Sequence, residues 1–176
     1  LIEQIDFRTL SESWQRVSRS VGTGMIINSE LLSYTKRVRS YFAPRSDVDT
    51  NSVLEGMNPL NPDDCMDEGR RLHLYWDGVH WAARPICGTW AGSEDEPIAD
   101  SGRCLMAIDG RSGAVTQLRI NEAEWLMGLE KDCTRGAGIT TKVRMESIGR
   151  GWDINTTSRI LKVMGLGTQD LEQNVA

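Results

Sequence analysis

The stretch that most constrains the chain is 117–164, QLRINEAEWLMGLEKDCTRGAGITTKVRMESIGRGWDINTTSRILKVM. It reads as helix, basic loop, helix, a tight turn at Gly149-Arg150-Gly151-Trp152, then a third helix. Two glycines, an arginine and a tryptophan in four residues make an uncommon turn. Such a turn can line a pocket, with glycine supplying backbone freedom as a hinge at Gly149 and tryptophan a stacking face. Asn121 with Glu124 predicts a capping-box start for the first helix, and Asn155 or Thr156 a cap for the third. Residues 131–138 read as a basic, flexible link, and the tail from Gly167 as frayed.

Upstream, FRTLSESWQRVSRS places Phe7, Leu10, Trp14 and Val17 at helical spacing. Met25-Ile26-Ile27 is a short buried strand. In KRVRSYF, period two puts Arg37, Arg39 and Tyr41 on one strand face. Two arginines side by side need an anion or a carboxylate between them. Otherwise the segment is a solvated basic edge strand.

Residues 43–69, with Pro44, Pro59 and Pro62, read as a loop, and Asp63, Asp64, Asp67 and Glu68 as its solvated acidic part. Residues 70–82 read as strand, tight turn at Asp77-Gly78, strand. They carry Arg70, Arg71 and nearby Arg84, with Trp76, Trp81 and Trp90 as aromatic surface. A basic, aromatic ribbon can enter a groove or stack on bases, and can equally form the core of a small β-unit. Residues 91–102 form a second acidic loop; 104–108 and 115–120 are strands around a turn at 109–113.

A chain of 176 residues with 39% hydrophobic content can bury one ordinary core. Its net charge of −5 excludes coating nucleic acid by bulk charge. Cys65, Cys87, Cys104 and Cys133 contain no CxxC pair and there are two histidines, so zinc-ligand spacing is absent. Free thiols in a reducing compartment are expected. No apolar run approaches a membrane span of roughly 18 residues, and no signal peptide opens the chain. A start at Leu1, in mid-pattern, points to a piece of something longer.

Three spaced pieces resemble the C-terminal part of DNA cytosine-5 methyltransferases of the de novo and domains-rearranged type. MIINSELLSYTKRVRSYF is similar to the family's Gln-x-Arg-x-Arg strand, with Thr35 at the Gln position and Arg37 and Arg39 matching. INEAEWLMGL is similar to a capped helix ending in Gly-Phe-Pro; Gly128 matches, while Leu129 and Glu130 depart. RMESIGRGWDINTTSRIL resembles the closing motif, and Gly149-Arg150-Gly151-Trp152 follows the Gly-Arg-Ser-Trp of the animal de novo enzymes. The link TRGAGITT, 134–141, looks more like the plant enzymes.

The resemblance implies an α/β fold: the C-terminal portion of a Rossmann-like methyltransferase with an inserted β-rich target recognition region. Residues 1–42 would end the catalytic sheet, 43–116 form the inserted region, 117–166 the closing helical segment and 167–176 the tail. It implies S-adenosylmethionine as cofactor, held partly by Gly149, Arg150, Gly151 and Trp152 and partly by residues outside the chain. Arg39 would reach the exocyclic oxygen of a cytosine flipped out of the duplex, and Arg37 would support the same pocket or a phosphate. Arg70, Arg71, Arg84, Lys131, Arg135, Lys142 and Arg144 would contact DNA phosphates. The location implied is the nucleus in a eukaryote and the cytoplasm otherwise.

The family's glycine loop, Pro-Cys nucleophile and Glu-Asn-Val general-acid strand are not found. The chain is therefore not expected to catalyse alone. Its cofactor-binding half would lie elsewhere in the polypeptide, even after Ala176, or on a partner subunit. The alternative is a non-catalytic methyltransferase-like subunit that stabilises or targets an active enzyme, which the departures at Thr35, Leu129 and Glu130 favour. A third reading is an unrelated α+β interaction domain.

Overall fold

The computed structural model describes residues 1–5, 11–45, 47–58, 60–88, 92–100 and 102–166. Phe7, Leu10, Trp90 and the tail from Gly167 lie outside the described residues.

The first layer is a three-stranded sheet of order β1-β3-β2, with β1 Ile2–Ile5, β2 Thr23–Asn28 and β3 Val38–Ala43. The central strand β3 is antiparallel to both neighbours, with Glu3 opposite Tyr41 and Ile27 opposite Arg39. It is therefore not an edge strand. Helix α1, Ser11–Val21, links β1 to β2. Its Trp14 packs on Phe42 with ring centroids 5.0 Å apart.

The described residues between 43 and 69 are more ordered than the prolines suggest. They contain helix α2, Thr50–Leu54, and a 3-10 turn, Pro62–Cys65. Asp49 caps α2 by accepting from the Ser52 N–H at 2.8 Å. Val48 and Val53 join Met25, Ile27, Leu32, Tyr41, Ile160 and Met164 in the first core. Two of the acidic residues, Asp63 and Asp67, are structural, while Asp64 and Glu68 are exposed as expected. Asp63 accepts from the Leu72 N–H at 3.0 Å. Asp67 pairs with Arg119 at 3.0 Å and accepts from Asn121.

The second layer is a sheet of order β4-β7-β8, with β4 Arg70–Leu72, β7 Met106–Asp109 and β8 Val115–Gln117, all antiparallel. The ribbon read across 70–82 thus divides, because β4 pairs with β7. Strands β5, Tyr75–Trp76, and β6, Trp81–Ala82, form a separate hairpin with Trp76 opposite Trp81. Residues 77–80 make its loop, in which Asp77 accepts from the Val79 and His80 N–H groups.

The helices after residue 117 serve both cores. Helices α3, Ile120–Leu126, and α4, Thr141–Arg150, bring Ala123, Leu126, Met145 and Ile148 onto Leu72, Leu105, Ala107 and Leu118. Helix α5, Ile154–Val163, returns to the first core through Ile160. The caps differ from those expected. At α3 the Glu122 carboxylate accepts from the Arg119 N–H at 2.8 Å. At α5 the cap is Asp153, accepting from the Thr156 N–H at 2.8 Å. Each shift follows from a carboxylate standing one helical turn from a free amide.

The free-thiol expectation holds for two cysteines only. Cys65 is buried and Cys133 exposed, while Cys87 and Cys104 form a disulfide with Cα atoms 5.3 Å apart.

Candidate functional site

Arg37, Arg39 and Tyr41 point to one side of the first sheet, as period two requires. The carboxylate demanded by the arginine pair is Glu3, across the ladder on β1. Its Oε1 lies 3.6 Å from Arg37 Nε and 3.4 Å from Arg39 Nε. Burial pushes the Glu3 carboxyl up, against the attraction of both guanidiniums. Burial lowers Arg39, and the neighbouring Arg37 charge adds to it.

Arg37 does not reach for a ligand. Its Nη1 donates to the Gly149 carbonyl at 3.2 Å and its Nη2 to the Gly151 carbonyl at 2.5 Å. The side chain is 5% exposed. The guanidinium fork thereby joins the end of α4 to the arginine strand across more than a hundred residues of sequence. Arg39, 23% exposed, donates to its own Val38 carbonyl at 2.8 Å and leans on Glu3.

The Gly149–Trp152 turn is tighter against its surroundings than its sequence suggests. Gly149 and Arg150 are the last residues of α4, and Gly151 is its C-cap. Gly149 is not a hinge: a Cβ there would stand 2.2 Å from the Gly88 backbone nitrogen, so close approach dictates the glycine. Arg150 is exposed, and Trp152 is 40% exposed. Next to them Asp153 is buried, which raises its carboxyl despite bonds from the Thr156 backbone and Ser33.

The helix that ends in Gly128 meets the same junction. The Ile154 N–H donates to the Met127 carbonyl at 2.9 Å. Gly128 has φ 74° and its Cα faces the Asn155 side chain, where a Cβ would sit 2.9 Å from Asn155 Cγ. Asn155 in turn donates to Ser33 Oγ at 3.0 Å. Three pieces of sequence, 25–42, 120–129 and 144–161, converge on one junction.

The basic residues divide. Arg70 is turned inward: it bonds Glu122 through Nε at 2.8 Å and Nη2 at 3.1 Å, Thr116 at 3.0 Å and the Gln117 carbonyl at 2.8 Å. With its side chain 3% exposed, it is corrected from a phosphate contact to a core ion pair. Arg144 bonds the fully buried Glu124 at 2.9 Å and Asp132 at 3.0 Å, which corrects it likewise. Arg84 pairs with Asp100 at 3.0 Å and covers the Tyr75 ring. Lys131 sits 4.5 Å from the Trp125 ring centroid and 3.6 Å from Asp67. Arg71, Arg135 and Lys142 are exposed, and so are Trp76 at 56% and Trp81 at 64%.

Sequence reasoning overlooked Glu3. Its signal was an acid in a strand-like Glu3-Gln4-Ile5, ahead of an arginine pair that needed a carboxylate.

With this geometry in place, the comparison with solved structures decides the fold. The chain is similar to the crystal structure of the S. pombe Dnmt2 methyltransferase, with a TM-score of 0.59 over 93% of this chain and 13% identity. The fold is methyltransferase-like. The chain matches 66% of that protein's length, just under two thirds. No family model and no curated protein matches the sequence.

Proposed function

We propose that this chain is the C-terminal portion of a cytosine-5 methyltransferase of the de novo or domains-rearranged kind, closing a cofactor pocket and one side of the base pocket. The observation that carries the reading is the convergence of the three motif-bearing pieces, locked by Arg37 on the Gly149 and Gly151 carbonyls. The solved methyltransferase of similar fold supports it.

Within this reading Glu3, in a Glu-Gln-Ile and not a Glu-Asn-Val strand, would take the general-acid role beside Arg39. A carboxyl raised by burial holds a proton more readily than an exposed one, which suits hydrogen bonding to a ring nitrogen. Arg39 is then the arginine left for the base, and Arg37 is a positioning residue.

The turn fits S-adenosylmethionine in part. Trp152 and Arg150 offer an exposed aromatic face and a cation to an adenine and a carboxylate. The backbone of the turn offers less, because the Gly151 N–H is spent on the Ile148 carbonyl at 3.1 Å. Gly149 and Gly151 are therefore structural, and further contacts would come from residues beyond this chain. The cofactor's part is to supply the methyl group. DNA would lie across Arg71, Arg135, Lys142 and the Trp76–Trp81 hairpin.

Titration of S-adenosylmethionine into the protein in its native polypeptide or assembly tests the reading. Trp152→Ala should weaken binding roughly tenfold, the effect of losing about 1.4 kcal/mol of aromatic contact. Equal affinity for wild type and variant would remove the turn from the pocket. For DNA, Arg135→Ala should lower the salt slope of binding by about one unit. Beside the departures at Thr35, Leu129 and Glu130, one structural feature favours the non-catalytic alternative: Arg37 is consumed by the fold. Cofactor binding without methyl transfer to cytosine in the completed assembly would select it.

A further inference from the structure

Residues 83–88 form a strap that leaves β6 and runs beside α4. Ala83 and Ile86 are buried in the second core with Met145 and Ile148. The Pro85 carbonyl accepts from the Leu105 N–H at 3.0 Å, and the Cys87–Cys104 disulfide closes the strap at its far end. One residue on, Gly88 lies backbone to backbone against α4. A Cβ on Gly88 would meet Glu146 Cα at 3.1 Å, and one on Gly149 would meet Cys87 C at 2.7 Å. Gly149 is the residue whose carbonyl Arg37 holds. Cys87, one half of the disulfide, thus packs directly on Gly149, the first residue of the turn that carries Trp152. A cavity of about 190 Å³ lies beside the disulfide, lined by Cys87, Cys104, Met106, Leu118 and Met145.

We propose that the Cys87–Cys104 pair is a redox control on the Gly149–Trp152 turn: the disulfide clamps the strap against the end of α4, and reduction releases it. Its regulatory meaning rests on the reading of that turn as a cofactor-pocket edge. The reductant is a dithiol. One of its thiolates attacks a sulfur of the pair, the S–S bond breaks, and the departing cysteine sulfur takes a proton. The second thiol then displaces the other cysteine, which also takes a proton, and the dithiol leaves as a disulfide. Two electrons and two protons reach the protein.

The test compares oxidised and dithiothreitol-reduced protein. Alkylation and mass measurement should find two blocked cysteines in the oxidised form and none in the reduced form. Amide exchange across 146–153 should rise by roughly tenfold on reduction and return on reoxidation, while β2 and β3 hold their protection. The oxidised Cys87→Ser, Cys104→Ser double variant should match the reduced wild type, and Cys133→Ser the oxidised one. If the double variant does not fold, reversible reduction of the wild type decides. Four free thiols under oxidant, unchanged exchange at 146–153, or an equal rise along the whole chain each overturns the proposal. Titration of S-adenosylmethionine into both forms separates the two ideas. Exchange that responds to redox state without cofactor binding to either form keeps the coupling and discards the pocket.

Discussion

A single guanidinium holds the candidate site together. Arg37 is buried, faces Glu3, and donates to two carbonyls at the end of α4. Arg37→Ala leaves those carbonyls without their charged donor and Glu3 with one arginine instead of two. The expected loss is about 3 kcal/mol in denaturant unfolding, with an unchanged slope. Arg37→Lys keeps the charge but cannot fork to two carbonyls at once, so it should recover only part of that loss. Full recovery by lysine would show that charge, not the fork, matters. At Arg39 the outcome differs, because its side chain is partly exposed and one of its bonds is to its own strand. Arg39→Ala should cost less than about 1 kcal/mol of stability. Under the proposed function it would still remove the arginine offered to the base, so its effect would fall on methyl transfer by the completed assembly and not on the melting curve.

At the scale of elements, α4 is positioned by what its ends touch. Gly149→Ala adds a methyl group 2.2 Å from the Gly88 nitrogen. Alanine gains about 1 kcal/mol of helix propensity over glycine, yet the clash is with backbone and cannot be relieved by a rotamer. A net loss of roughly 2 kcal/mol is expected, and a stabilised variant would contradict the packing described. The other end of α4 hangs on Glu124. That carboxylate accepts from the Asp132 N–H at 2.5 Å, the Thr134 N–H at 3.0 Å, the Thr134 hydroxyl and Arg144 at 2.9 Å. The link read as a flexible basic loop is therefore wrapped round a buried acid. Such contacts mark the limit of what sequence shows. Strand period placed Arg37, Arg39 and Tyr41 on one face, and charge repulsion called for a carboxylate. Helical spacing found α3, α4 and α5, though not their caps, because several acids and amides lay within one turn of each start. Nothing local reveals that Arg70 meets Glu122 or that Gly149 meets Gly88, since each pairing depends on how distant elements pack. The same holds for Cys87 and Cys104, whose spacing matches no metal or redox motif.

Across the whole molecule the two cores carry opposite acid responses. In the second core, burial alone would raise the Glu124 carboxyl, but bonds from Thr134 and Arg144 outweigh it and hold it below its ordinary 4.5. Asp67 is likewise lowered from 3.8, with bonds from Arg119 and Asn121 overcoming burial. A depressed carboxyl stabilises the fold above its unfolded value and loses that contribution as pH falls through its folded value. In the first core, Glu3 and Asp153 are raised by burial. A raised carboxyl weakens the fold once ionised, so acid removes that cost as pH falls through the raised value. Asp47, also lowered, is exposed beside Arg45 and adds little. Acidification from neutral to about pH 3 should therefore open the α3–α4 side while the β1-β3-β2 sheet with α2 and α5 persists. Brief pepsin digestion along that series, followed by fragment masses, should release peptides from 117–146 before any from 23–54. Simultaneous release would mean that the two cores unfold as one unit, and the reverse order would contradict the assignment of the stabilising carboxylates to the second core.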